Sequence, residues 1–438
     1  VTDAMTSNVY NRMQPYYRRE NFNKGFYFGI GAGLEAGDVR FSTETYGASF
    51  GTEGALARLF GGYQWFYKDS GWFVSGELAG DYTSAKNQDL FRLTADEKWR
   101  QQNQRMSAGE YALLLGKRLP SQDEVWLRLG GSAMQLHHDS YTSGIGYVVG
   151  DFDKWMLGYV TEIGFESYVA SHWSIQFAQG YRYYPQHTFE VGSYEDTGVS
   201  GLIGFAPSDH QARFAVNYHF SPSSGYKYFS STVPMKGAYL GTHFGSDRIV
   251  SESKHTHQHF EKYAFTTSNS SVLAGLYGGY FMPMSDFSSG FLGKFGLGIE
   301  GVGQLSTQGS DYQHLNTIRS ITAWNIGAML SYQLVNNNHL YLKGGWGFLT
   351  LRSPFAPELL ATGNPKVTQG IAWNRNVPVW IAAIGYETMV SRHVAVRSEI
   401  ESSQTQLDTY TEGDFVDDYK SRVYAYKLGL SYRFSESK

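Results

Sequence analysis

Apolar and polar residues alternate with a period of two along much of this chain. Between Trp155 and Phe165, the residues Trp155, Leu157, Tyr159, Ile163 and Phe165 share one face, while Gly158, Glu162 and Gly164 share the other. Successive side chains of a strand point to opposite faces, so the spacing predicts a β-strand. After a break at Val169–His172 the pattern resumes, with Trp173, Ile175, Phe177, Tyr181 and Tyr183 outward and Ser174, Gln176, Gly180 and Arg182 opposite. Two such runs across a short polar break predict a hairpin. Similar breaks fall at Lys68–Gly71 and Pro120–Glu124. The other connections read as long hydrophilic loops, at about Gly37–Glu53, Asn87–Ser107, His137–Lys154 and His187–His210. Short turns alternating with long loops are the asymmetry of an outer-membrane barrel, whose periplasmic turns are short and whose extracellular loops are long.

Residues 24–220 supply about eight strands on this reading, the number whose barrel interior side chains can fill. The positions facing the lumen include Glu77, Asp81, Glu110, Arg118, Arg128, Glu162, Glu166, Arg182 and Arg213. Both signs are present and would pair across a narrow interior, whereas the same groups facing lipid would be costly.

The chain then repeats. Lys24-Gly-Phe-Tyr-Phe-Gly29 matches Lys236-Gly-Ala-Tyr-Leu-Gly241, and Leu59-Phe-Gly-Gly-Tyr63 matches Leu276-Tyr-Gly-Gly-Tyr280. Ile163-Gly-Phe-Glu-Ser167 with His172 aligns with Ile384-Gly-Tyr-Glu-Thr388 and His393, and Asn217-Tyr-His-Phe220 with Ser431-Tyr-Arg-Phe434. Four matches in order mark a duplication. Residues 236–438 therefore hold a second set of about eight strands, with lumen candidates Glu300, Lys343, Glu387, Arg397, Glu399, Glu401, Lys427 and Arg433.

The fold class is all-β: transmembrane antiparallel up-and-down barrels. Two tandem eight-stranded barrels and one sixteen-stranded pore both fit the duplicated strands. Residues 221–235, rich in Ser, Gly and Pro, favour two, because a continuous sheet would use a hairpin loop of about 2–5 residues there. They read as a periplasmic linker. Residues 1–23 read as a periplasmic segment that docks on a partner or a neighbouring subunit, or stays unstructured.

Composition agrees with a membrane barrel. Aromatics reach 16%, led by 33 Tyr and 28 Phe, and charged residues only 17%, unlike a typical soluble domain. Mean hydropathy is −0.37, and no apolar stretch of about 18 residues exists, which excludes a transmembrane helix but not strands with alternate residues apolar. The net charge of −4 does not suggest nucleic-acid binding, which would want a basic face. Absence of cysteine removes disulfides, thiol nucleophiles and thiolate metal sites. The first residue is Val1, without an apolar targeting stretch behind it, so a secretory signal is expected to have been removed.

The run Ile163-Gly-Phe-Glu-Ser-Tyr-Val-Ala-Ser-His-Trp-Ser-Ile, followed by Gly180-Tyr-Arg-Tyr183, resembles the penultimate hairpin of OmpA/OmpX-like and opacity-type outer-membrane barrels. The aromatic end of Tyr432-Arg-Phe434 resembles their assembly signal. The resemblance implies a bacterial outer-membrane location, contact with outer-membrane lipid and lipopolysaccharide, and insertion by the barrel assembly machinery. Two features depart from the family: Ser435–Lys438 follow the terminal aromatic, and a second copy of the signal lies internally at Phe220.

Candidate chemistry is sparse. His172 and Ser174 form a His-x-Ser arrangement faintly similar to lipid A deacylases, yet no acid is evident at a suitable spacing and the repeat has Ala395 where Ser174 stands. His255, His257 and His259 alternate, so an extended backbone would put three imidazoles on one side, where a transition metal would bind. A solvated polar loop is the plainer account of them. Trp65, Trp155, Trp173, Tyr183, Trp324 and Tyr432 read as interfacial girdles. No cofactor is expected. The expected function is that of a structural or interaction protein whose surface work falls to loops 87–107, 187–210, 246–269 and 352–376, with homo-oligomers or lateral envelope partners as companions and no catalysis; a wide general-diffusion porin is the alternative.

Overall fold

The computed structural model describes residues 25–42, 47–67, 70–92, 98–119, 123–143, 152–170, 172–191, 201–221, 236–257, 260–286, 291–307, 319–334, 338–353, 373–389, 393–412 and 415–434. Residues 1–23 and 222–235, the expected periplasmic segment and nearly all of the expected linker, lie outside them.

The chain forms two closed antiparallel barrels of eight wall strands each. In the first, the wall runs β1 (Gly25–Ser42), β2 (Gly47–Phe66), β3 (Trp72–Thr83), β5 (Lys98–Arg118), β6 (Glu124–Ser143), β7 (Phe152–Tyr168), β8 (Trp173–Tyr183) and β10 (Gly201–His219). It closes where β10 pairs back on β1, with Phe28 opposite Tyr218 and Gly33 opposite Arg213. Between wall strands lie β4 (Lys86–Arg92), paired with β5, and β9 (His187–Val191), paired with β10. The second wall runs β11 (Gly237–His257), β12 (Phe260–Pro283), β13 (Phe295–Ser306), β14 (Arg319–Gln333), β15 (Asn338–Ser353), β16 (Trp373–Met389), β17 (Val394–Thr405) and β19 (Phe415–Phe434), with β18 (Asp408–Glu412) extending beside β19. It closes by β19 pairing with β11, Phe434 opposite Ala238. These two independent closures set the single sixteen-stranded barrel aside.

One end of each barrel carries short turns, except that β12 and β13 are joined there by a longer connection with 3-10 turns at Met284–Asp286 and Leu292–Lys294. Tyr67 N–H donates to Trp72 O, Leu119 to Asp123 O, Val169 to Trp173 O and Leu334 to Asn338 O, all at 2.7–2.9 Å. Gly71 sits at φ +74° in the first of these turns, a backbone conformation that favours glycine. The other end differs from the sequence expectation. The segments read as long loops are largely strand: β5 runs 21 residues, β6 runs 20 and β12 runs 24, where about 9–11 suffice to span a bilayer. Beyond the membrane no lipid selects apolar residues at alternate positions, so the period-two signal fades although the ladder hydrogen bonds continue. Residues 354–372, most of the loop expected at 352–376, lie outside the described residues.

The outer surface carries an apolar belt that includes Leu78, Leu113, Leu129, Leu157, Leu276, Leu305 and Leu342, all well exposed. The six aromatic girdle candidates, Trp65, Trp155, Trp173, Tyr183, Trp324 and Tyr432, are exposed as well. Phe165 and Phe177 depart from this. They point outward, as their register demands, but are buried, because Tyr386 of the second barrel packs between them at ring-centroid distances of 4.8 and 5.7 Å. A second barrel, not lipid, covers that face.

Candidate functional site

Among the described residues, the two lumens hold the densest chemistry. In the first barrel every wall strand brings a polar side chain inward, because inward positions recur at every second residue. Arg58 on β2 lies 3.3 Å from Glu77 and 3.1 Å from Asp81 on β3, and 2.9 Å from Glu110 on β5. Arg128 on β6 reaches Glu77 at 3.1 Å, Glu110 at 2.7 Å and Glu162 on β7 at 3.1 Å. Arg182 on β8 meets Glu110 at 2.6 Å, Asp81, and Glu35 on β1 at 3.5 Å. Arg213 on β10 meets Glu162 at 2.8 Å, and Tyr27 on β1 donates to Glu77 at 3.0 Å. All these charged groups are buried. Unpaired, each would carry a desolvation penalty of several kcal/mol, so the pairing is what makes the lumen tolerable.

Arg118 and Glu166 stand apart from this network, toward the short-turn end. Arg118 Nε donates to Glu124 at 2.9 Å, and its guanidinium lies 4.5 Å from the centre of the Phe66 ring. Glu166 sits 2.8 Å from His219 Nε2.

The second lumen is built alike but uses lysine. Lys343 on β15 contacts Glu300 on β13 at 3.2 Å and, on β17, Glu399 at 2.8 Å and Glu401 at 3.3 Å. Lys427 on β19 contacts Glu401 at 2.9 Å. Arg397 on β17 pairs with Glu300 and with Glu387 on β16, and Arg433 on β19 also pairs with Glu387. Tyr239 on β11 donates to Glu300 at 2.8 Å and to Met329 Sδ on β14 at 3.4 Å. Arg397 is flanked by the rings of Tyr277 on β12 at 4.5 Å and Tyr341 at 4.8 Å, which offset its lost hydration.

Several members of these networks were not singled out in the sequence. Arg105 bridges Glu35 and Asp209, each at 2.8 Å, inside the extension of the first barrel. Arg105 and Asp209 fall in segments that read as loops, which hid them. Glu35 and Arg58 obey the same two-residue period as Tyr27 and Phe60 and were legible in principle.

The His-x-Ser candidate needs correction. Ser174 has an acid and a base beside it: its hydroxyl donates to Glu166 and lies 3.1 Å from Nε2 of His219, not of His172. His172 instead lies with Nδ1 2.7 Å from the carbonyl of His219. A relay would place the carboxylate on the imidazole nitrogen away from the serine. Here Glu166 meets the same Nε2 that faces Ser174, so the three form a cluster and not a relay. Of the histidine trio, His259 and the side chains of His255 and His257 lie outside the described residues. The backbone of β11 pairs with β19 in unbroken register through His255, Thr256 and His257, and its register shift against β12 places the extra residue on the β12 side. Among the described residues no group of three or more His, Asp or Glu is arranged to hold a metal ion.

Paired closed barrels with an apolar belt outside and ion pairs within define an integral outer-membrane β-barrel protein. Residues 236–438, the second barrel, match the model of the OmpA-like transmembrane domain, and the first barrel repeats that eight-stranded architecture. None of the curated proteins matches the chain. Among solved structures it is similar to the attachment invasion locus protein Ail of Yersinia pestis, with 13% identity, TM-score 0.22, and coverage of 43% of this chain and 99% of that one. Neisserial surface protein A is similar at 15% identity and TM-score 0.21, over 44% and 97%. The Pseudomonas putida toluene transporter TodX is similar at 8% identity and TM-score 0.27, over 94% and 90%. At TM-scores of this size none of the three bears on function, and the fold rests on the strand pairing given above.

Proposed function

We propose that this outer-membrane protein is a structural and surface-interaction protein, whose two filled barrels anchor polar hairpin extensions at the cell surface and carry out no catalysis. The observation that carries the reading is the ionic network of the first lumen, to which every wall strand contributes. Arg58, Arg128, Arg182 and Arg213 each bond carboxylates from other strands, so a water-filled path would require breaking buried pairs at about 3–5 kcal/mol for each unpartnered charge. Eight-stranded barrels are of a size that side chains fill. Segments that rise beyond a rigid scaffold are where binding residues concentrate, and the described strand extensions within 87–107, 187–210 and 246–269 are such segments here. Outer-membrane phospholipid and lipopolysaccharide cover the belt, the barrel assembly machinery inserts the chain, and the partners of the hairpins are envelope or surface molecules.

Single-channel recording of the refolded full-length protein in a planar bilayer tests this. The expected record has no large stable conductance steps. Large, stable steps of the kind a water-filled porin gives would overturn the closed-barrel reading.

A further inference from the structure

We infer that the two barrels are an obligate pair, locked side by side by a polar seam, and that neither is built to face the membrane alone. The free faces of the first barrel present apolar side chains such as Leu78, Leu113 and Leu129. The outward positions turned toward the second barrel are different. Near the long-hairpin end, Asp38 on β1 forms a salt bridge with Arg248 on β11. At the same end, Glu53 on β2 pairs with Arg422 and accepts from the Tyr424 hydroxyl at 2.8 Å, both on β19. At the short-turn end, Asp123 accepts from Asn338 at 3.2 Å and from Thr388 at 2.8 Å, and Asn338 also donates to Ser167 at 2.6 Å.

These contacts are polar, come from outward positions and cross from one barrel to the other. Asp38 and Arg248 are buried, although on an isolated barrel both would stand on the outer wall. A charge on the lipid face is destabilising in a depth-dependent way, and its burial opposite an opposite charge removes that cost. Between the two polar ends the seam holds Tyr386 between Phe165 and Phe177, then opens into an apolar cavity of about 200 Å³ lined in part by Val125, Ile163, Phe244, Val396 and Leu428. The ends of the seam, more than its middle, fix the pairing. The backbone contact Ala264 opposite Leu90 continues the seam into the hairpin extensions, so the two sets of hairpins form one composite surface.

The test uses the full chain with a protease site placed within residues 222–235. The folded protein is cut in mild detergent and run on size exclusion, and gel mobility of unheated samples reports whether each barrel remains folded. Halves of the otherwise unaltered chain are expected to co-elute. D38R with E53R is expected to raise the separated fraction about tenfold, and adding R248D and R422E to restore co-elution. Halves that part in the otherwise unaltered chain overturn the inference. So does co-elution unchanged in D38R/E53R, and so does separation that persists in the fourfold variant with both barrels folded.

Discussion

Lys343 and Glu399 face each other across the second lumen, the lysine Nζ 2.8 Å from a carboxylate oxygen and both side chains buried. Glu300 and Glu401 share the same ammonium, so one lysine holds three carboxylates. Lys343→Met keeps much of the volume but leaves those carboxylates to Arg397 and Lys427. Removing one partner of a buried ionic cluster costs about 3–5 kcal/mol. Urea unfolding followed by gel mobility is expected to show a loss of that order, and K343M/E399Q is expected to recover part of it. A loss under about 1 kcal/mol for K343M would mean that water reaches the cluster.

The strands and their inward charges were legible because burial by lipid outside and ion pairing inside impose opposite chemistry on alternate residues, as at Leu157 and Glu162. Two kinds of feature were not legible. Beyond the bilayer the outer face meets water, so Arg105 and Asp209 sat in stretches without alternation and read as loop. On the seam, Phe165 and Phe177 carry the same apolar signal whether lipid or Tyr386 covers them. Asp38 and Arg248 are 210 positions apart, and only the folded arrangement of the barrels joins them.

Gly164 and Gly385 occupy equivalent places in the two repeats and make the same kind of room. A Cβ on Gly164 would stand 2.0 Å from the Trp126 ring, and one on Gly385 would stand 2.1 Å from the Tyr341 ring. Tyr341 in turn donates to Glu399 at 2.7 Å, so displacing it also disturbs the ionic cluster. Gly164→Ala and Gly385→Ala are each expected to destabilise by about 1–3 kcal/mol, the usual range for overpacking, with Gly385→Ala the worse of the two. Unfolding midpoints of the two variants measured side by side check the order.

Ser174 donates to Glu166, a buried carboxylate that also contacts His219. A hydrogen bond to a charged group contributes about 1.5–3 kcal/mol. Ser174→Ala is therefore expected to lower stability by that order, and lipid A incubated with the unaltered protein is expected to come back intact. Deacylation that S174A abolishes would make the cluster catalytic.

His138 lies inside the extension of the first barrel, beyond the girdle marked by Trp155. Its Nδ1 donates to Asn103 at 2.7 Å and its ring meets Phe205 at a centroid distance of 4.9 Å. Burial, helped by the neighbouring His137, pushes its pKa down to about 4 from the ordinary histidine value near 6.5. A histidine depressed in the folded state binds more protons once the extension opens, so acid favours opening. The stability it contributes is fully present above the unfolded value and is lost as pH falls from about 6.5 to about 4, with the opening equilibrium rising by up to about tenfold per pH unit in that window. Amide hydrogen exchange of residues 98–105 and 134–143, corrected for the intrinsic pH dependence of exchange, is expected to show loss of protection from pH 7 to pH 4. His138→Gln, which has no group to titrate there, should flatten that response while leaving the membrane-spanning part of the barrel protected at both pH values. Equal pH sensitivity in H138Q would assign the response to another group.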